Sequence, residues 1–209
     1  MRFFANIRGI DAIRSILTVD RSDFDDGERG VSVGVSSFAT VTRSTFKNHG
    51  EAGVYTDGSL GVIVGRSTVD GGSSTGIRCG DACAITDNVI RRNGTGVSTF
   101  DARLVLIGND IVENIVGYEP GSRTGSPEDV RGNRFLDNQA AVRALGGAFG
   151  FGGGAKSELR RNLFDGNGVG FWAAAEGDYS ILLDRNTFTN GRDGVFAPVG
   201  SPAWPATRP

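Results

Sequence analysis

The chain has two cysteines, one histidine, one methionine and six prolines among its 209 residues. Two cysteines cannot staple a small disulfide scaffold, and Cys79 and Cys83 lack the companions of a zinc site. They read equally well as one disulfide or as two free thiols. No apolar run reaches the roughly 18–20 residues that a membrane-crossing helix needs, so no membrane span is expected. Net charge is -2, with Arg and Lys scattered among acids. The basic footprint of a nucleic-acid binder is missing, and no nucleic-acid partner is expected. The opening MRFFANIRGI lacks the apolar stretch and small-residue cleavage site of a signal peptide. No serine has a histidine partner in sequence, and no Lys-Ser/Thr pair follows the glycines as in a phosphate-binding loop.

Glycine is what the chain has in excess: 33 residues, above the average usage of ~7%. The glycines lie along the whole chain beside Asn and Asp, which points to many turns. Aligning DNVIRRNGTGV, GNDIVENIVGY, GNRFLDNQAAV, RNLFDGNGVGF and RNTFTNGRDGV shows why. A large apolar residue recurs at Phe24, Phe46, Val69, Ile90, Ile111, Phe135, Phe164 and Phe188. Two residues earlier stand Ser22, Ser44, Ser67, Asn88, Asn109, Asn133, Asn162 and Asn186. Five residues earlier stand Val19, Val41, Val64, Ile85, Leu106, Val130, Leu159 and Leu183. Seven or eight residues later come Val31, Val54, Ile77, Val97, Tyr118, Val142, Phe171 and Val195, each after glycine except where Ala141 replaces it.

A period of 21 to 29 residues with fixed identities is a solenoid signature. Short strands gain stability by pairing in parallel with their equivalents one coil on, about 4.8 Å away, so each position becomes a stack of like side chains. Stacked asparagines pass amide hydrogen bonds from coil to coil. The expected fold is all-β: a right-handed, single-stranded parallel β-helix of about eight to nine coils. One such domain is expected over residues 1–199, followed by a Pro-rich tail at 200–209. Phe3, Asn6, Gly9 and Ile10 fit the second half of a coil, so the chain is expected to open in mid-repeat. Phe3, Ile7, Ile10 and Ile13 also fit a capping helix by their spacing. Without a cap, a partner or a missing segment would cover that end.

These columns resemble the right-handed parallel β-helix repeat family, the pectate-lyase-like superfamily with its polygalacturonases and alginate epimerases. The resemblance spans Phe3 to about Val199 and is specific for architecture alone. It implies an extracellular or periplasmic protein and an acidic or neutral glycan as ligand. The Asp-Pro-His-Asp motif of alginate epimerases is absent, as is an Asp constellation like the calcium site of pectate lyases. Asp20, Asp23, Asp25, Asp26 and Glu28 lack regular ligand spacing and read as a charged turn, and His49 reads as a solvated turn residue. No metal and no cofactor are expected.

The connection from the Gly-Val column back to the next coil takes 8 to 10 residues in the early coils, then 12 after Tyr118, 17 after Val142 and 12 after Phe171. Rigidly positioned loops carry function, and the loops at 119–129, 143–158 and 172–182 adjoin one another in coils five to seven. The strand feeding them has an outward column, one residue past the buried one: Asp11, Ser32, Tyr55, Arg78, Ser98, Glu119, Arg143, Trp172 and Phe196. Tyr55 and Trp172 offer flat apolar surface for a sugar ring, and Arg78 matches a carboxylate. Glu119 and Arg143 are the candidate catalytic pair of a lyase, epimerase or hydrolase, with Glu176 and Asp178 at the rim. The same column also reads as a solvated face carrying an Arg78–Glu119–Arg143 charge ladder. Three functions stand side by side: a polysaccharide-binding or polysaccharide-active β-helix, a non-catalytic structural or adhesive module of a longer solenoid, and a β-helix enzyme for a small molecule.

Overall fold

The computed structural model describes residues 1–100, 103–121, 128–144, 155–173, 179–189 and 193–196. The strands form three parallel sheets of nine, nine and eight members. The first sheet runs from Arg2–Phe4 to Thr187–Thr189, the second from Arg8–Ala12 to Asp193–Phe196, and the third from Ile16–Asp20 to Tyr179–Asp184. In each sheet a strand pairs with its equivalent in the neighbouring coil, as in a right-handed β-helix.

The register explains the columns. Phe24 pairs with Phe3 and Phe46, and Phe164 with Phe135 and Phe188. Their rings stack at 4.6, 4.8, 5.0 and 4.6 Å. Val19, Val31, Val41 and Val54 close the core from the other two sheets. Each buried Phe or Val contributes about 1.5–3 kcal/mol relative to exposure. Because a coil is one cross-section of this core, a polar residue in any of these columns would face apolar atoms above and below.

Two corners bracket each first-sheet strand, and both turn on one left-handed residue. Arg21 and Asp26 have φ of 47° and 55°, and Arg43 and Asn48 have 50° and 55°. At four of the equivalent positions in other coils stand Gly71, Gly108, Gly132 and Gly166, with φ from 62° to 75°; there glycine removes the steric cost. Beside the first corner, Asn88, Asn109, Asn133, Asn162 and Asn186 form a ladder of Nδ2 to Oδ1 bonds at 2.9, 2.9, 3.0 and 3.1 Å. A second ladder joins Asn93, Asn114, Asn138 and Asn167 at the other corner.

The opening segment is strand, not helix: Arg2–Phe4 and Arg8–Ala12. Phe3 continues the phenylalanine stack and Ile10 pairs with Val31, so coil contacts override the helical spacing. Cys79 and Cys83 form a disulfide that closes the short return from the second sheet to the third. Residues 200–209 lie outside the described residues.

Candidate functional site

The outward column of the second sheet is set by pairing. Asp11 stands against Ser32, Ser32 against Tyr55, Tyr55 against Arg78, Arg78 against Ser98, Ser98 against Glu119, Arg143 against Trp172 and Trp172 against Phe196. Strand alternation turns Asp11, Tyr55, Arg78, Ser98, Glu119, Arg143 and Trp172 outward, because Val33, Cys79, Thr99 and Ala144 beside them are buried.

Side-chain contacts divide this column in two. In the early coils Arg29 lies over the Tyr55 ring, 3.7 Å from its centroid, and Arg78 lies 5.3 Å from it. Arg29 is held by a bidentate bond to Glu51, at 2.6 and 2.7 Å. That bond is the main reason the Glu51 carboxyl titrates below its ordinary value. Arg8 bonds Asp11 at 2.6 Å. Tyr55 therefore has a cation on its ring face. Arg78 is exposed, and two coils separate it from Glu119, about 10 Å at the ~4.8 Å strand spacing. The two-coil step from Arg78 to Glu119 therefore passes through Ser98.

In the later coils the ladder is real. Arg143 donates from Nε to Oε2 of Glu119 at 2.8 Å, and its terminal nitrogen contacts the same oxygen. Glu119, Arg143 and Trp172 are all half-buried. Paired with a guanidinium, Glu119 is an acceptor for hydroxyl groups, and Arg143 keeps N–H donors beyond those it gives to Glu119. Trp172 adds an apolar wall next to them. Glu176 and Asp178, and most of the three long loops, fall outside the described residues.

Sequence reasoning missed a polar group inside the solenoid. The third sheet presents Ala39, Val62, Cys83 and Leu104 inward. The following coil places Glu128 there, one residue before the Val105–Asp129 pair, and Glu128 is buried. Thr99 Oγ1 donates to its carboxylate at 2.8 Å and accepts the Gly121 N–H at 3.0 Å. Burial, and then the charge of Glu128, push the Tyr118 hydroxyl well above the ordinary tyrosine pKa. The break in an otherwise apolar column was the available signal.

His49 also departs from expectation: it is buried, not solvated. The acidic turn at Asp20–Glu28 is paired off in part, Asp20 accepting from Arg43 at 2.7 Å at both oxygens. Among the described residues no group of three or more His, Cys, Asp or Glu is placed to hold a metal.

The model of the family "Right handed beta helix region" matches residues 6–126. The model of the family "Periplasmic copper-binding protein (NosD)" matches residues 78–208. No curated protein and no solved structure matches the chain.

Proposed function

The chain belongs to the right-handed β-helix family and to the NosD family, and from that premise we propose that it is a periplasmic glycan-binding solenoid. The ligand lies along the outward face of the second sheet at Glu119, Arg143 and Trp172. The observation that carries this reading is their succession on neighbouring coils: an acceptor, a fixed cationic donor and an indole, each one coil apart. The ~4.8 Å rise is close to the length of one sugar ring, so successive coils meet successive units. A disulfide at Cys79–Cys83 fits an oxidising compartment.

Copper, which the second family's name carries, finds no donor set here. Copper sites use His, Cys and Met. This chain has one histidine and one methionine, and its two cysteines are bonded to each other.

A second reading, a non-catalytic structural module, draws on the earlier coils, where Arg29, Glu51 and Tyr55 already satisfy one another. A panel of neutral and acidic glycans, titrated against the protein and against Trp172→Ala, separates the two. Glycan binding that weakens by about 1–3 kcal/mol in the variant, with thermal unfolding unchanged, supports the glycan reading. Absence of binding across the panel, or equal binding by the variant, overturns it in favour of the module.

A further inference from the structure

We infer that His49 is an acid-sensitive release point built into the corner between the first and second sheets, where a histidine replaces the asparagine that holds later coils. The inference is independent of any glycan ligand.

The second asparagine ladder occupies one position per coil, three residues after the central apolar residue. Coil by coil that position holds Asn6, Gly27, His49 and Gly72, and then the asparagines from Asn93 onward. Each later asparagine does two things across coils. Its Nδ2 donates to the carbonyl of the central residue one coil back: Asn114 to Ile90 at 3.1 Å, Asn138 to Ile111 at 2.9 Å, Asn167 to Phe135 at 2.8 Å. Its Oδ1 accepts the N–H of the preceding ladder residue, as Asn93 does from Gly72 at 3.0 Å. At position 49 the equivalent partners are the Phe24 carbonyl and the Gly27 N–H.

An imidazole stands there instead. His49 is 3% exposed, and neither ring nitrogen has a hydrogen-bond partner of normal geometry among the described residues. Gly27 and Gly72 lie on either side of it in the column. A Cβ on Gly27 would stand 3.5 Å from Nδ1, and one on Gly72 would stand 3.2 Å from the His49 carbonyl. Phe46 packs at 6.2 Å, tilted. The neutral ring therefore serves as an apolar filler in a polar column.

A proton changes this. Asp25 and Asp26, on the turn one coil back, and the backbone of Gly27 and Phe24 favour the imidazolium. Arg29, which lines the same small cavity with Asp25, opposes it. Burial outweighs the favourable groups and holds the His49 pKa below its ordinary value. The unfolded chain takes the proton near pH 6.5 while the folded corner still resists it. The stabilisation is therefore complete above about pH 6.5, falls as pH drops towards the folded pKa, and then levels off. Opening the corner releases the bonds that flank it: Gly50 N–H to the Gly27 carbonyl at 2.8 Å, Ala52 N–H to Glu28 at 3.0 Å, and Ser73 N–H to His49 at 3.2 Å.

His49 is the chain's single histidine, so its imidazole resonances in an NMR titration need no assignment. The expected result is a pKa below 6.5, with protection of the Gly50, Ala52 and Ser73 amides falling up to about tenfold per pH unit below that value. Amides beside Asn114 and Asn138 should keep theirs. In His49→Asn the ladder bonds form and the same three amides hold constant protection from pH 7 to 5. An ordinary titration midpoint, a protection loss spread evenly over all coils, or the same loss in His49→Asn would each overturn the inference. If His49→Asn does not fold, the wild-type titration and the location of its protection loss decide the matter.

Discussion

The early and late coils solve the same corner with different chemistry. In the early coils serine stands beside the first corner. Ser22 N–H bonds Ser44 Oγ at 3.2 Å, and Ser44 N–H bonds Ser67 Oγ at 3.1 Å. The serine hydroxyls then donate within their own coil, Ser44 to the Thr42 carbonyl at 2.8 Å. In the late coils Asn133 donates back to the Leu106 carbonyl at 2.8 Å and forward to Asn162 Oδ1 at 3.0 Å. It also accepts from the Asn109 backbone at 2.9 Å. A serine thus links two coils, and an asparagine links three. Cohesion between coils rises where the return loops lengthen, which is where insertions put the most strain on coil register.

The sharpest test of this contrast is Asn133→Ala. It takes from the Leu106 carbonyl and the Asn109 backbone N–H the partner that Asn133 gives them in a buried corner. Urea denaturation should show a loss of about 1–3 kcal/mol per unsatisfied group, so this is the largest single effect expected. Ser44→Ala should cost less, about 1–3 kcal/mol in all, because it orphans one buried group, the Ser22 N–H. Equal costs for the two variants would erase the distinction between early and late coils. Acid titration probes two carboxylates in the first half of the chain, Asp20 and Asp70. Arg43 is the main cause that holds Asp20 below the ordinary carboxylate pKa, and Arg92 holds Asp70 in the same way. Lowered folded values stabilise above about pH 4, and that stability is lost as pH falls through them. Replacing Arg92 with Gln should flatten that acid limb of the stability curve, separately from the His49 window. The smallest effect on folding is expected for Trp172→Ala, whose change should appear in ligand titration and leave the unfolding free energy within about 0.5 kcal/mol of the wild type.

How much of this was legible depended on whether a residue repeats. Phe24, Val19, Ser22 and Val31 belong to columns that recur in every coil, so eight periods outvoted local propensity and the fold was readable. The outward position of Trp172 followed from the same register. His49 was misread because its neighbours in the column, Gly27 and Gly72, carry no side chain to reveal that the column is buried. Arg29 over Tyr55 was invisible because the two residues occupy different columns, and only the fold brings them together. Glu128 meets Thr99 across 29 residues; a threonine, Thr56, stands at the same position two coils earlier, but the carboxylate does not repeat in its column.

That last pair bears on engineering. The connection leaving Gly121 and returning at Glu128 is moored at both feet to one hydroxyl, Thr99, in the coil before it. The connection is therefore a graft point: foreign peptides inserted between residues 122 and 127 should leave the solenoid's register intact so long as Thr99 and Glu128 are kept. The same grafts in a Thr99→Val background should express poorly, which makes this threonine the tether to preserve in any display scaffold built on the chain.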